Sequence, residues 1–174
     1  MPNWCENEVR ISGSKEDIAK IAELFDCNNN NFSFQTFMPC PEELRKIHNG
    51  HTQDKDGKTY THWLCESVND DENPTYTYLT DADVQALVDK YGSSNWYDWS
   101  IRNWGTKWEA HLCGNVNVFH DEAHDWSSIE CNFDTAWSPP EGIYNALVSQ
   151  FPDVDVDWFY KEPGMRFAGW LGSD

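Results

Sequence analysis

His120 and His124 stand four residues apart, a spacing at which two imidazoles share one side of a helix and can hold zinc. Asp125, His111 and Cys113 are close enough in sequence to add ligands. A zinc hydrolase of the zincin pattern also needs a glutamate directly after the first histidine as general base, and here that position is Asp121. The segment is therefore expected to be an exposed acidic loop between two strands, with no metal, and His120 and His124 are weak candidates only. Asp54-Lys55-Asp56-Gly57-Lys58 opens like a calcium loop, but Cys65 stands at the twelfth position, where a carboxylate should close it. No phosphate-cradling glycine loop, dinucleotide-binding glycine run or nucleophile elbow occurs, so no cofactor is expected and a non-enzymatic role is favoured. The six cysteines, at 5, 27, 40, 65, 113 and 131, include no C-x-x-C pair and read as reduced thiols, several of them core filler.

The run from Arg102 to Trp108 is a stronger candidate, because Arg102 and Lys107, two of only 12 cations, flank the indoles of Trp104 and Trp108. With Asn103, these five residues could grip a planar or phosphorylated ligand by stacking and charge. The competing role, and the favoured one, makes both indoles core anchors. Trp137, ahead of two prolines, reads in the same way as a staple against a sheet. Charge is the broadest signal: 30 acidic against 12 basic residues give a formal charge of −18. Wide contact with a nucleic-acid backbone, which needs a basic footprint, is excluded on that ground. No transmembrane or signal segment is read, so a soluble, cytoplasmic protein is expected.

The elements that must position these residues follow from periodicity. Residues 3–12 alternate as a strand, with Cys5, Val9 and Ile11 on one face and Glu6, Glu8 and Arg10 on the other. Ser14 and Asp17 then cap a helix whose stripe is Ile18, Ile21, Ala22 and Phe25. Phe32, Phe34 and Phe37 suggest a second strand. Residues 48–74 are polar and show no sustained period, so they read as an inserted loop, acidic at Asn69–Asn73; counted with the helix capped by Thr80 and the Trp-rich stretch after it, the insertion covers 48–110 of one domain, 1–174. Cys113 to Phe119 is a possible strand, and Ile129, Cys131 and Phe133 mark a clear one. Ser138-Pro139-Pro140-Glu141 starts a helix, with Ser138 as its cap, and is followed by an alternating strand at 154–160 and a last one at 167–171. The order predicts an α+β fold, a ferredoxin-like antiparallel sheet with its helices on one face and an inserted helical or loop region. On the open face of that sheet the parity collects Glu6, Glu8, Glu130, Asp134, Asp153, Asp155 and Asp157. So dense an array of like charges suggests a basic partner, although it also suits plain solubility.

Four segments stand out together: Met1-Pro2-Asn3-Trp4-Cys5-Glu6-Asn7, Asn103-Trp104-Gly105-Thr106-Lys107-Trp108, Phe133-Asp134-Thr135-Ala136-Trp137-Ser138-Pro139-Pro140, and Tyr160-Lys161-Glu162-Pro163-Gly164 with Phe167-Ala168-Gly169. In this order they resemble the YubB ferredoxin-like family of phage, prophage and plasmid proteins. The resemblance implies a ferredoxin-like fold and a mobile-element origin, and no agreed activity. With the acidic face it leads to the expectation of an accessory protein acting in the host cytoplasm on a basic host protein, such as a nucleic-acid-binding defence complex, by DNA mimicry. A nucleotide-sequestering protein using the Trp104–Trp108 run is the alternative, and a metal-dependent hydrolase using the His120 region is the third.

Overall fold

Cys5, Val9 and Ile11 alternate with polar neighbours, and the first strand they form is the axis on which the rest of the sheet is built. The structure is a computed structural model describing residues 3–66 and 75–172, so the acidic run Asn69–Asn73 lies outside the described residues. In chain order the elements are β1 (Trp4–Gly13), α1 (Lys15–Leu24), a 3-10 turn (Cys27–Asn29), α2 (Phe34–Phe37), α3 (Glu42–Arg45), β2 (Ile47–Gln53), β3 (Thr59–Glu66), β4 (Thr75–Tyr78), α4 (Asp81–Tyr91), α5 (Trp96–Trp104), β5 (His111–Leu112), β6 (Asn117–Asp121), β7 (Trp126–Ala136), α6 (Glu141–Gln150), β8 (Asp155–Glu162) and β9 (Phe167–Trp170). They group into two units, Met1–Pro39 with Arg102–Asp174, and Cys40–Ile101. Among the described residues no helix is long and apolar enough to cross a membrane.

The first unit carries a six-stranded sheet in the order β5-β7-β1-β8-β9, with β6 also paired to β7. Every pairing is antiparallel. With β6, β7 and β8 as the second, third and fourth strands, β1 and β7 are central and β8 flanks β1, the ferredoxin-like order; β9 extends the far edge. One face is closed by helices. Phe25, the C-cap of α1, stacks on Phe32, which stacks in turn on Phe133 and meets Trp158 edge-on. Tyr144 of α6 reaches the same Trp158 edge-on, so both helices pack on the face that Cys5, Val9, Ile11 and Ile129 line. Asn7 is the polar residue at the centre of this layer. Its amide donates to the carbonyls of Cys5 and Phe133 and to the Thr135 hydroxyl, and its oxygen accepts the Trp158 indole N–H.

Three expectations change. Phe34 and Phe37 bound a one-turn helix rather than a second strand: the Ser33 hydroxyl accepts from the Thr36 amide, and the Glu109 carboxylate accepts from the amides of Phe34 and Gln35. Side-chain acceptors at both sites satisfy the orphan amides of a helix start, and three aromatic residues were too few to fix a period of two. The cap of α6 also differs. Its N-cap is Pro140, without a side-chain bond, because the Ser138 hydroxyl donates instead to the Gly105 carbonyl at 2.6 Å.

The second unit replaces the expected loop by a three-stranded sheet, β2-β3-β4. Asp54-Lys55-Asp56-Gly57-Lys58 is the hairpin turn between β2 and β3, where the Asp54 carboxylate accepts from the Asp56 and Lys58 amides and Gly57 takes φ +80°. β2 is exposed along most of its length, and a strand wet on both faces has no apolar alternation to read. Thr80 and Asp83 form a reciprocal capping box at the start of α4, and Gly92 closes that helix in the left-handed region.

Candidate functional site

The face of the first unit's sheet that carries no helix is the site. Residues directly opposite each other in antiparallel strands project to the same side, so register alone orders this face into rows. One row runs His111, Asp134, Glu6, Lys161, Ala168, from β5 to β9. The next is Asn132, Glu8, Phe159, Trp170, and the third Asn117, Glu130, Arg10, Asp157. The fourth is Phe119, Ser128, Ser12, Asp155. Six of the seven expected carboxylates share this face; Asp153 lies in the turn before β8, outside the rows.

Two cations share the face with them. Arg10 Nε lies 3.5 Å from Glu130 Oε1, its guanidinium is 5.8 Å from the Trp126 ring centre, and Asp157 faces it from β8. Lys161 Nζ lies 3.0 Å from Glu6 Oε2, and that hydrogen bond, with the Glu6 and Glu8 charges behind it, raises the lysine pKa. Glu8 differs, since its direct cross-strand neighbours are an amide, Asn132, and a ring, Phe159. Phe159 and Trp170 meet at 4.8 Å, and Trp170 is 56% exposed. A depression of about 530 Å³ opens here, lined among others by Glu8, Arg10, Asn117, Glu130, Asn132, Asp157, Phe159 and Trp170. A second, of about 360 Å³, touches Trp4, Glu6, Glu8, Cys113, Asn132 and Asp134.

The Arg102–Trp108 run does two things. Trp104 turns inward, 5% exposed, its indole N–H donating to the Met38 carbonyl at 2.9 Å while its ring meets Phe34 edge-on. Trp108 is half-buried near Trp4, 6.1 Å between ring centres, with Lys107 Nζ 3.9 Å from its own ring centre. Trp4 also approaches His111, so an aromatic cluster stands at one end of the open face. Arg102 is exposed on the last turn of α5, and the Asn103 carbonyl abuts Gly142, where an added Cβ would come within 1.9 Å. Thr106 donates to the Ala136 carbonyl at 3.0 Å, tying the loop to the end of β7. Trp137 is no staple: it is 44% exposed and holds φ +74°, a conformation costly for a bulky side chain.

His120 and His124 are not on a helix. His120 is in β6 with Nδ1 2.8 Å from the Ser127 hydroxyl. His124 is in the following turn with Nδ1 3.0 Å from Asp121, whose carboxyl pKa is lowered by that contact. Among the described residues no three His, Cys, Asp or Glu side chains gather closely enough to hold a metal ion.

The rows bring forward residues that parity could have revealed. Arg10, Asn132, Phe159 and Lys161 keep step with the carboxylates in their own strands, while Trp170 joins them only through the β8–β9 hairpin. That hairpin depends on Glu162, 1% exposed, whose carboxylate accepts the amides of Gly164 and Met165.

Residues 103–171 match a family model described as a ferredoxin-like domain in Api92-like protein. The ferredoxin-like match runs from the end of α5 to β9 and contains three of the four segments behind the resemblance, leaving Met1–Asn7 outside it. The interlock of Gly105, Ser138 and Gly142 falls inside it and accounts for the Asn-Trp-Gly and Ser-Pro-Pro runs as packing. No curated protein and no solved structure matches the chain.

Proposed function

We propose that the chain is a non-enzymatic accessory protein of a phage or plasmid that binds a basic, nucleic-acid-handling host protein through the open face of its ferredoxin-like sheet. The observation that carries this reading is the row structure: six carboxylates on three adjacent strands, uncovered by any helix of the unit, with Trp4 and Trp170 exposed at the margins. Adjacent strands lie about 4.8 Å apart and alternate residues about 6.8 Å apart. Those spacings are comparable with the roughly 7 Å between phosphates along one DNA strand, so the carboxylates can stand in for phosphates in a basic groove. Arg10 and Lys161 narrow the decoy, because each is neutralised by a carboxylate beside it; the outward negative charge concentrates at Glu8, Asp134, Asp155 and Asp157.

The test is capture from host lysate followed by competition. The retained basic protein should be displaced by duplex DNA and lost with Glu8, Asp134 and Asp155 all reversed to lysine, a set that leaves the Arg10–Glu130 pair intact. Capture that survives both treatments would move the interface elsewhere on the chain.

A further inference from the structure

Three features outside the established packing compete as sites. The groove in the second unit between α4 and its sheet has an apolar floor of Ile47, Leu64, Leu79 and Leu87, and its charged lining is engaged locally, Lys90 with Glu43 and Asp83 with Thr80, so it selects no occupant. The Trp4–Trp108–His111 cluster offers rings, but its one close cation, Lys107, already lies over Trp108. The row Asn132, Glu8, Phe159, Trp170 carries an argument further, because its four side chains differ in chemistry and stand in order across four strands at one depression.

We infer that this depression is a receptor for an arginine side chain of the basic partner, with Glu8 as the carboxylate that receives the guanidinium and the Phe159–Trp170 pair as the surface on which it stacks. The inference rests on the reading of the open face as the partner-binding surface, and it names what is recognised there. On either side of the row the charges are already answered within the sheet, Glu130 by Arg10 and Glu6 by Lys161. Glu8 sits between them with an amide and a ring as its direct neighbours across the strands. An incoming cation at Glu8 therefore meets a carboxylate whose cross-strand partners supply none.

The rings choose the kind of cation. A guanidinium is planar, is less strongly hydrated than an ammonium and presents a fork of N–H donors, so it can lie on an indole face while two donors meet one carboxylate. A lysine ammonium, a compact and strongly hydrated charge, gains less from the same rings. Asn132 is placed to accept a further guanidinium N–H through its amide oxygen. The volume of about 530 Å³ is ample for one such side chain. Arg10, on the same strand two residues on, is paired with Glu130, and together they bound the depression on that side.

The experiment titrates the intact isotope-labelled chain with three acetylated and amidated tripeptides, Gly-Arg-Gly, Gly-Lys-Gly and Gly-citrulline-Gly, and with free agmatine, following backbone and indole N–H resonances. Citrulline keeps the shape of arginine without its charge. The arginine peptide should shift the Trp170 indole and the Glu8 and Asn132 amides saturably, agmatine should do the same, and the lysine peptide should bind several-fold more weakly. Glu8→Gln should weaken the arginine peptide about tenfold, whereas Glu122→Gln, an exposed carboxylate in the turn between β6 and β7 and outside the rows, should leave it within twofold. Equal binding of the citrulline peptide, an unchanged affinity in Glu8→Gln, or equal losses in Glu8→Gln and Glu122→Gln would overturn the receptor. Trp170→Leu, checked for an intact spectrum, should lose the preference for arginine over lysine; a preference that persists would also overturn it. The two readings fail separately. Loss of host-protein capture in the triple reversal with no arginine-peptide site defeats the receptor alone, while a selective arginine site with capture unaffected by the triple reversal defeats the partner surface.

Discussion

Trp104 is the residue at which two chemical roles open in the sequence are separated by geometry. An indole can anchor a core or stack on a ligand, and its exposure of 5% with a bond to the Met38 carbonyl commits this one to the core. Trp104→Ala should therefore cost about 3–5 kcal/mol in chemical denaturation, the range for a buried aromatic truncated to alanine; a loss below 1 kcal/mol would contradict its placement. Lys107→Ala, which removes a cation from the rim ring of Trp108, should cost far less in the same measurement. The buried thiols make a prediction in pH. Burial pushes the Cys5 and Cys27 thiols from 9.0 up to about 12, and burial raises Cys131 as well. Below about pH 9 each is neutral in both the folded and the unfolded chain, so none of them affects stability there. Above it the unfolded thiol ionises while the folded one keeps its proton, and stability falls by about 1.4 kcal/mol per pH unit for each until the folded value is reached. The denaturation midpoint should drop between pH 9 and 10.5, and Cys27→Ala should make that drop shallower; an identical slope would show that the thiol is not held neutral.

At the scale of elements, the junction between the loop after α5 and the start of α6 explains why short runs of sequence look so specific. Gly105 holds φ +87°, and a Cβ there would come within 2.9 Å of the Glu141 amide, while one on Gly142 would collide with the Asn103 carbonyl. Backbone touches backbone, and only glycine permits it. Gly142→Ala should thus destabilise by about 1–3 kcal/mol or more, as overpacking of a fixed contact does, although alanine is the better helix former; a stabilised protein would show the contact to be loose. Glu162→Ala should act on another element, freeing two amides in the β8–β9 turn at about 1.5–3 kcal/mol for bonds to a charged acceptor. Elements of this kind were legible where one face is buried. β1, β7 and β8 alternate cleanly because they lie between helices and water, and α1 and α4 announce themselves by Ser14–Asp17 and Thr80–Asp83 caps. The strands of the second unit were not legible, since β2 is wet along most of its length and its residues carry no alternation. The helical turn at Phe34 was hidden for another reason: Ser33 caps it locally, but the Phe34 and Gln35 amides are satisfied by Glu109, distant in the chain, and a single turn is too short to show a period. The carboxylate face could be read from parity, but its mixed character could not, because which residue faces Glu8 depends on register.

For the whole molecule the question is whether its charge acts as a field or as a surface. A formal charge of −18 attracts any basic protein over about a Debye length, roughly 10 Å at 0.1 M salt, and that attraction is indifferent to where the carboxylates sit. A decoy face is different, because its carboxylates must meet the partner directly, and removing them slows binding less than it speeds dissociation. Two variants of equal charge separate these cases. Reversing Glu8, Asp134 and Asp155 to lysine moves the chain by +6 to −12, and so does reversing Glu23, Asp89 and Glu122, exposed residues outside the rows of the open face. A field alone predicts the same loss of association rate in both, and the same flattening of its dependence on salt. Recognition by the face predicts that the first variant also gains a much faster dissociation rate, while the second dissociates like the parent at every salt concentration. The measurement is surface-based kinetics with the captured partner from 50 to 300 mM salt. Equal dissociation rates in the two variants would reduce the acidic face to a contributor of net charge, and the six carboxylates would then be read as a soluble surface.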